Sequence, residues 1–177
     1  MPKFKADLSV SGIEKLKKEI INYRDSLPKK CQIYAKELAE KGLDVAKVRI
    51  DESPLGRYVT VSVDVSPERF GGKAILVATG EVKVSDEYSD FNTLLAIEFG
   101  AGIHYNPIAN PNADDLGFGV GTFPGQLHAF EDGWWYWDEE NQEWRYTHGV
   151  KATMPMHEAD MEMIRECVKL AKKIFGK

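Results

Sequence analysis

The run Tyr58-Val-Thr-Val-Ser-Val-Asp-Val65, followed by Ala74-Ile-Leu-Val-Ala-Thr79, decides the fold class. Side chains of a strand alternate between faces, so the strict alternation in the first run puts Val59, Val61, Val63 and Val65 toward a core. Thr60, Ser62 and Asp64 then face water. Pro67 and Gly71-Gly72 mark a turn between the runs. The second run is apolar at both parities, which reads as a central strand lying antiparallel to the first.

Helical spacing flanks this pair on both sides. Ile13, Leu16, Ile20, Tyr23 and Leu27 recur at intervals of three and four, which is one face of an amphipathic helix with Ser11 as its N-cap. Pro28 then separates this helix from a second, with Cys31, Tyr34, Leu38, Val45 and Ala46 inward and Gly42 weakening or ending it. Asp90 is placed to cap a short helix carrying Phe91, Leu94 and Leu95 and closed by Gly100. Residues 156–175 bring Met156, Ala159, Met163, Cys167, Leu170, Ala171 and Ile174 onto one face of a last helix. The expected fold is a single α+β domain over residues 1–177. An antiparallel sheet packs against an N-terminal helical pair and a C-terminal helix. Its core holds Val61, Val63, Ile75, Val77, Leu38 and either Ile164 or Leu170.

Composition agrees with a folded domain. At 177 residues, 43% hydrophobic and 29% charged, the chain is long enough for a real core and too apolar for global disorder. No apolar run approaches the roughly 20 residues of a membrane span, and the opening Met1–Asp7 lacks the apolar heart of a signal peptide. Cys31 and Cys167 fall in helical segments with no CxxC spacing, which reads as buried thiols in a reducing compartment.

Residues 101–133 form one long loop with six glycines and three prolines, and loops much beyond about 15 residues are usually functional or disordered. So little apolar area offsets ordering entropy poorly, and the loop is expected to be mobile until a partner fixes it. Gly-Trp-Trp-Tyr-Trp follows at 133–137, and Glu-Trp-Arg-Tyr at 143–146 holds the last of the four tryptophans. With Asp138–Gln142 between them, the two runs read as a β-hairpin. Neighbouring strand residues face opposite ways, so one core cannot bury Trp134, Trp135 and Trp137 together. The hairpin therefore either caps the core or offers Trp134, Trp135, Trp137 and Trp144 to a partner.

Charge is segregated. Residues 1–50 carry a net +5, residues 51–150 a net −12 and residues 151–177 a net +2. Such segregation arises from solvated helix faces and acidic turns. It also suits a bipolar molecule whose basic end, with Lys17 and Lys18 on the first helix, meets an acidic surface of another copy or another protein. No basic stripe is interleaved with aromatics, so specific nucleic-acid binding is not expected.

Catalytic patterns fail one by one. His157-Glu158 begins like HExxH, but position 161 is Met and the second ligand is missing. Gly117-Phe-Gly-Val-Gly121 lacks dinucleotide-loop spacing, Gly71-Gly-Lys73 lacks the remainder of a Walker loop, and no G-x-S-x-G occurs. His104, His128 and His148 are irregularly spaced, and Asp114-Asp115 reads as a solvated turn. No catalytic residue, metal site or cofactor is expected.

The order of landmarks resembles the head–tail joining (tail-completion, minor structural) proteins of long-tailed bacteriophages. Gly56-Arg57 precedes a strand, Ile97-Glu-Phe-Gly-Ala-Gly102 matches a Glu-Phe-Gly-Thr-Gly-like block, and a Gly/Pro/Asn-rich insertion leads to the aromatic run. Thr147–Met156 then resembles the small-residue, Pro and Met block before the family's final helix. Ala101 stands where Thr is usual, and the final block lacks a Pro-Phe pair. The resemblance implies a non-enzymatic virion protein assembled in the bacterial host cytoplasm. It would form a homo-oligomeric neck ring between the connector and the tail tube, with Gly100 and Gly102 as a structural turn. Two other readings stay open: a carbohydrate- or cell-wall-binding module using the aromatic hairpin, and a metal-assisted hydrolase using His104 and His128.

Overall fold

Ser9 opens the longest element of the chain. Its hydroxyl accepts the Gly12 amide at 3.0 Å, while the Asp7 carboxylate accepts the Ser9 amide at 2.8 Å and also the Ser9 hydroxyl. These bonds hold Ser9 extended (φ −72°, ψ 156°), as an N-cap requires, so the helix begins two residues before the expected Ser11 cap. In the computed structural model the described residues are 3–69, 71–83, 91–101, 110–112, 115, 133–138 and 141–176.

From that cap, helix α1 runs unbroken over Val10–Asp51, 42 residues with Pro28 inside it. The expected helical pair is therefore one helix. Pro28 has no N–H for the Arg24 carbonyl, a defect worth about 3 kcal/mol in a helix interior. Packing on both sides of the proline offsets it: Tyr23 before it and Tyr34 after it line the same cleft against the end of the C-terminal helix. Ser26 also donates its hydroxyl to the Tyr23 carbonyl at 2.7 Å. Gly42, expected to weaken the helix, lies buried within it. A Cβ at Gly42 would come within 3.0 Å of the Met163 sulfur and 3.3 Å of Leu76, so this glycine is where a helix and a strand both approach α1 closely.

A single 3₁₀ turn (Gly56–Tyr58) leads into strand β1 (Val59–Glu68), which pairs antiparallel with β2 (Gly71–Gly80). Register sets Val61 opposite Ala78, Val63 opposite Leu76 and Val65 opposite Ala74. Val59, Val61, Val63 and Leu76 face inward, and Gly71 and Gly72 lie over Cys31 and Gln32 of α1. Val65, nearer the hairpin turn, is exposed. Ile75 and Val77 do not join the core. They are exposed on the outer face of a two-stranded sheet, because only the face toward α1 is covered among the described residues. The central-strand expectation fails for that reason.

Short strands β3 (Val82–Lys83) and β4 (Phe91–Asn92) pair and lead to helix α2 (Thr93–Phe99). Asn92 caps α2, its side-chain oxygen accepting the Leu94 and Leu95 amides at 3.0 and 3.2 Å. Asp90, the expected cap, lies outside the described residues. Strands β5 (Trp134–Asp138) and β6 (Glu143–Thr147) form the aromatic hairpin, and helix α3 (Pro155–Phe175) closes the chain. Helix α3 runs antiparallel to α1. Arg49 pairs with Glu158 at 3.8 Å at one end, and Glu37 with Lys173 at 3.0 Å toward the other. Near that second end the Tyr34 hydroxyl donates to the Cys167 carbonyl at 3.1 Å. Ala159 and Leu170 are buried, whereas Ile164 points outward, so Leu170 fills the expected core position. Ile50, Val59 and Ile97 form the innermost cluster, with Leu55, Val61 and Leu94 packed on it. The α+β architecture is as expected, with an antiparallel sheet, a long N-terminal helix and a C-terminal helix.

Glycines 71 and 72 give a paired test of how closely the hairpin lies on α1. A Cβ at Gly72 would sit 2.6 Å from the Gln32 Cα, whereas one at Gly71 would meet the Cys31 Cβ at an ordinary 3.4 Å. Gly72→Ala is expected to destabilise by about 1–3 kcal/mol, the usual overpacking cost. At this chain length that corresponds to a melting temperature lower by roughly 2–10 °C. Gly71→Ala should melt close to wild type.

Candidate functional site

The chain has no local cap where α3 begins. Met154 precedes it in a left-handed conformation (φ 51°, ψ 50°) and makes no side-chain capping bond. The first amides of a helix need acceptors, and here they come from α2. One Glu98 oxygen accepts the Met156 amide at 2.9 Å, and the other accepts the His157 amide at 3.0 Å. The Ile97 carbonyl takes the Thr153 amide at 2.9 Å. A carboxylate at a helix N-terminus also meets the positive end of the helix dipole.

Glu98 is buried, and a second anchor reaches it from the long loop. The buried Asn110 donates its side-chain amide to Glu98 at 2.8 Å and accepts the Asn112 amide at 3.0 Å. Burial pushes the Glu98 carboxyl pKa up; the Met156 and His157 amides, the His157 charge and Asn110 oppose that rise. Both oxygens are already taken by donors, which suits a structural cap rather than a general base.

Immediately beyond, Gly100 turns the chain with φ 83°, a conformation glycine adopts without strain. Ala101 then bridges Val150 through two backbone bonds of 2.9 and 2.8 Å. The residues that flank the 102–149 stretch are thus hydrogen-bonded to each other. Gly102 and most of the 101–133 loop lie outside the described residues.

The aromatic hairpin falls between Ala101 and Val150 in the chain. Gly133 begins it with φ 114°, and a Cβ there would come 2.3 Å from the Thr147 carbonyl oxygen, so the close approach of the strands needs glycine. Trp135 pairs with Tyr146 and Trp137 with Trp144. The Trp135 and Tyr146 rings meet edge to face at 5.3 Å, and Tyr146 stacks edgewise on His148 at 5.0 Å. Trp135 and Trp144 remain 62% and 63% exposed. The side chains of Trp134 and Trp137 lie outside the described set. Lys17 and Lys18 are exposed on the N-terminal stretch of α1, a separate element from the hairpin.

A cleft of about 420 Å³ lies where α3 ends against α1, lined by Tyr23, Tyr34, Cys167, Val168, Ala171 and Phe175. Burial raises the Tyr34 phenol pKa. Cys31 and Cys167 are free and half-buried. Among the described residues no group of three His, Cys, Asp or Glu could hold a metal ion, and no helix is long and apolar enough to cross a membrane. His104 and His128 lie outside those residues.

Glu98 and Asn110 escape sequence reading because their partners are 58 and 12 residues away. The available signal is negative: Met154-Pro155 begins a helix with no Ser, Thr, Asp or Asn at the cap, so an acceptor has to come from elsewhere. No protein-family model, curated protein or solved structure matches the chain. The resemblance to phage head–tail joining proteins thus rests on the residues quoted for it.

Two outcomes follow from this geometry. Glu98→Gln keeps the shape but places an NH₂ group against an amide donor, which should cost about 1–3 kcal/mol. Because the folded pKa of Glu98 is raised, the folded state holds its proton at pH values where the unfolded chain has released it. The Glu98 contribution is thus fully present below the unfolded pKa and declines as pH rises through the folded one. Urea unfolding across the acid range should show wild type losing stability relative to Glu98→Gln as pH rises through that window. Separately, Trp135→Ala and Trp144→Ala, as changes at exposed positions, should each shift stability by no more than about 0.5 kcal/mol in thermal melts.

Proposed function

We propose that this chain is a non-enzymatic structural subunit of a phage virion, joining head and tail as a homo-oligomeric ring at the neck. The observation that carries the reading is the placement of its apolar surface. Ile75 and Val77 on the hairpin face, Ile13 and Ile20 on α1, and Trp135 and Trp144 on the aromatic hairpin are exposed on three separate elements. Large apolar side chains left outside in groups mark interaction surfaces. A subunit that meets neighbours through unlike patches closes into a ring when the rotation allows. The order of landmarks from Gly56-Arg57 to the final Thr147–Met156 block supports the same assignment.

In this role the protein does mechanical work. Ring contacts fix each copy, and the aromatic hairpin meets the connector or the tail tube. The exposed Trp135 and Trp144 also favour a second reading, glycan or cell-wall binding, since flat aromatic faces stack on sugar rings.

Deleting the gene from its phage and imaging the lysate tests the first reading. Full heads and free tails that fail to join are expected. Intact tailed particles lacking the protein would overturn it, and saturable binding to host cell-wall glycan by the purified chain would favour the second reading. Lys17→Glu with Lys18→Glu should melt like wild type, since exposed ion pairs contribute little to folding, yet yield fewer joined particles. Equal yields would remove the basic helix from the assembly contact.

A further inference from the structure

The β1–β2 hairpin is a sheet of two strands, so each strand has one side without a ladder among the described residues. Which backbone groups stand on that side follows from one bond. The Glu81 amide donates to the Tyr58 carbonyl at 3.2 Å, and these residues stand opposite each other one step beyond Val59 and Gly80. Opposed residues of an antiparallel pair alternate between exchanging bonds and not exchanging them. Thr60 with Thr79, Ser62 with Val77 and Asp64 with Ile75 therefore bond across the hairpin. The amides and carbonyls of Val61, Val63 and Val65 then point outward from β1, as those of Ala74, Leu76 and Ala78 do from β2. Among the described residues none of these outward groups is hydrogen-bonded.

The two edges are not equivalent. Helices α2 and α3 lie toward β2: a Cβ at Gly80 would meet Thr93 and Leu94, and one at Gly42 would meet both Met163 and Leu76. A second copy joined at β2 would bring its own α1 into the space α3 fills. Against β1, Ile97 packs with Val59 on the inward face and leaves the edge open. Natural sheet edges are blunted by charge or proline. On β1, Pro67 and Glu68 blunt the hairpin end, but between Val59 and Val65 the one charge is Asp64, on the outer face. Val65 shares the inward parity of Val59, Val61 and Val63 and is nevertheless 39% exposed.

We infer that β1 pairs antiparallel with β1 of a second copy about a two-fold axis at Ser62, joining the two hairpins into one four-stranded sheet. Val61 of each copy bonds with Val63 of the other, and the Val65 amide donates to the Val59 carbonyl. The Val59 amide is already held by the Gly56 carbonyl. This register leaves Pro67 outside the new ladder and sets Val65 beside Val59 on the inward face. On the outer face Asp64 stands opposite Thr60 and Ser62 opposite itself, so no like charges meet. Strands about 4.8 Å apart put the hairpin centres about 10 Å apart, which is an ordinary packing distance for the two α1 helices beneath. The α1 flank on that side is mixed in charge, with Lys36, Glu40, Leu43, Asp44 and Lys47, and running it antiparallel to itself sets Glu40 toward Lys47. Glu40 also pairs with Lys36 at 3.6 Å on its own exposed helix face. The contact uses the same surface on both copies, so it goes beyond the ring reading and does not depend on it.

Sedimentation velocity and hydrogen exchange on the full chain, at low and high concentration, test this. Wild type should pass from monomer to dimer as concentration rises. The Val61, Val63 and Val65 amides should slow with it, while those of Ala74, Leu76 and Ala78 stay as they are. Val65→Lys, at an exposed position, should weaken association on the order of 100-fold, since each dimer would bury two charges beside valines. Ser62→Arg and Ser62→Glu, on the exposed outer face, should each weaken it about 5-fold, because the new charge meets its own copy across the axis. An equimolar mixture of those two should associate as well as wild type, since opposite charges then meet. Thermal melts verify that each variant folds. A wild type monomeric at every concentration, slowed amides on β2 instead of β1, or a Ser62 mixture no better than either variant alone would each overturn the inference. Larger species with the β1 amides slowed would uphold the contact beside ring contacts. Larger species with those amides unchanged would overturn it and leave the ring reading standing.

Discussion

Glu98 reaches from the last turn of α2 to the first amides of α3, and much of the molecule's organisation follows from that contact. An uncapped, half-buried helix start would leave donors without acceptors, which is costly away from water. Glu98 removes that cost while tying the two helices together. Through Asn110 the same carboxylate is tied to the chain beyond α2. Just beyond it, Ala101 bridges Val150. One buried acceptor therefore joins the end of α2, the start of α3 and Asn110.

With that junction in place, the rest of the body is a layered pair of contacts on α1. The β1–β2 hairpin lies along one side and α3 along another, and both meet α1 at Gly42. Small residues Ala39, Gly42 and Ala46 make the approach possible. So thin a body leaves apolar side chains outside: the outer face of β2, the N-terminal stretch of α1, the outer side of α3 and the tryptophans of the second hairpin. A two-stranded sheet is marginal by itself, and exposed edges and faces of this kind favour further pairing.

Part of the candidate interface is legible in the order of residues. The aromatic runs predict a hairpin with more aromatic surface than one core can bury, and Trp135 and Trp144 are exposed on its paired strands. Helical spacing places Lys17 and Lys18 on an amphipathic helix, and both lie exposed on α1. The capping role of Glu98 and the anchor at Asn110 are not legible, because a tertiary hydrogen bond leaves no periodic trace in the chain. Pro28 misleads in the opposite direction: local chemistry argues for a break, and packing of Tyr23 and Tyr34 against the end of α3 carries the helix through it.

By itself the sequence determined that the stretches 13–27 and 156–175 are helical, that β1 pairs with β2, and which face of α3 turns inward. All of these follow from side-chain periodicity, and periodicity is local. Tertiary structure alone decided that Ile75 and Val77 face outward, that α1 runs unbroken through Pro28, and that α3 borrows its cap from α2. Those outcomes depend on how many layers cover a sheet and on which distant group reaches a helix end. Such quantities are set by the packing of whole elements, and no window along the chain contains them.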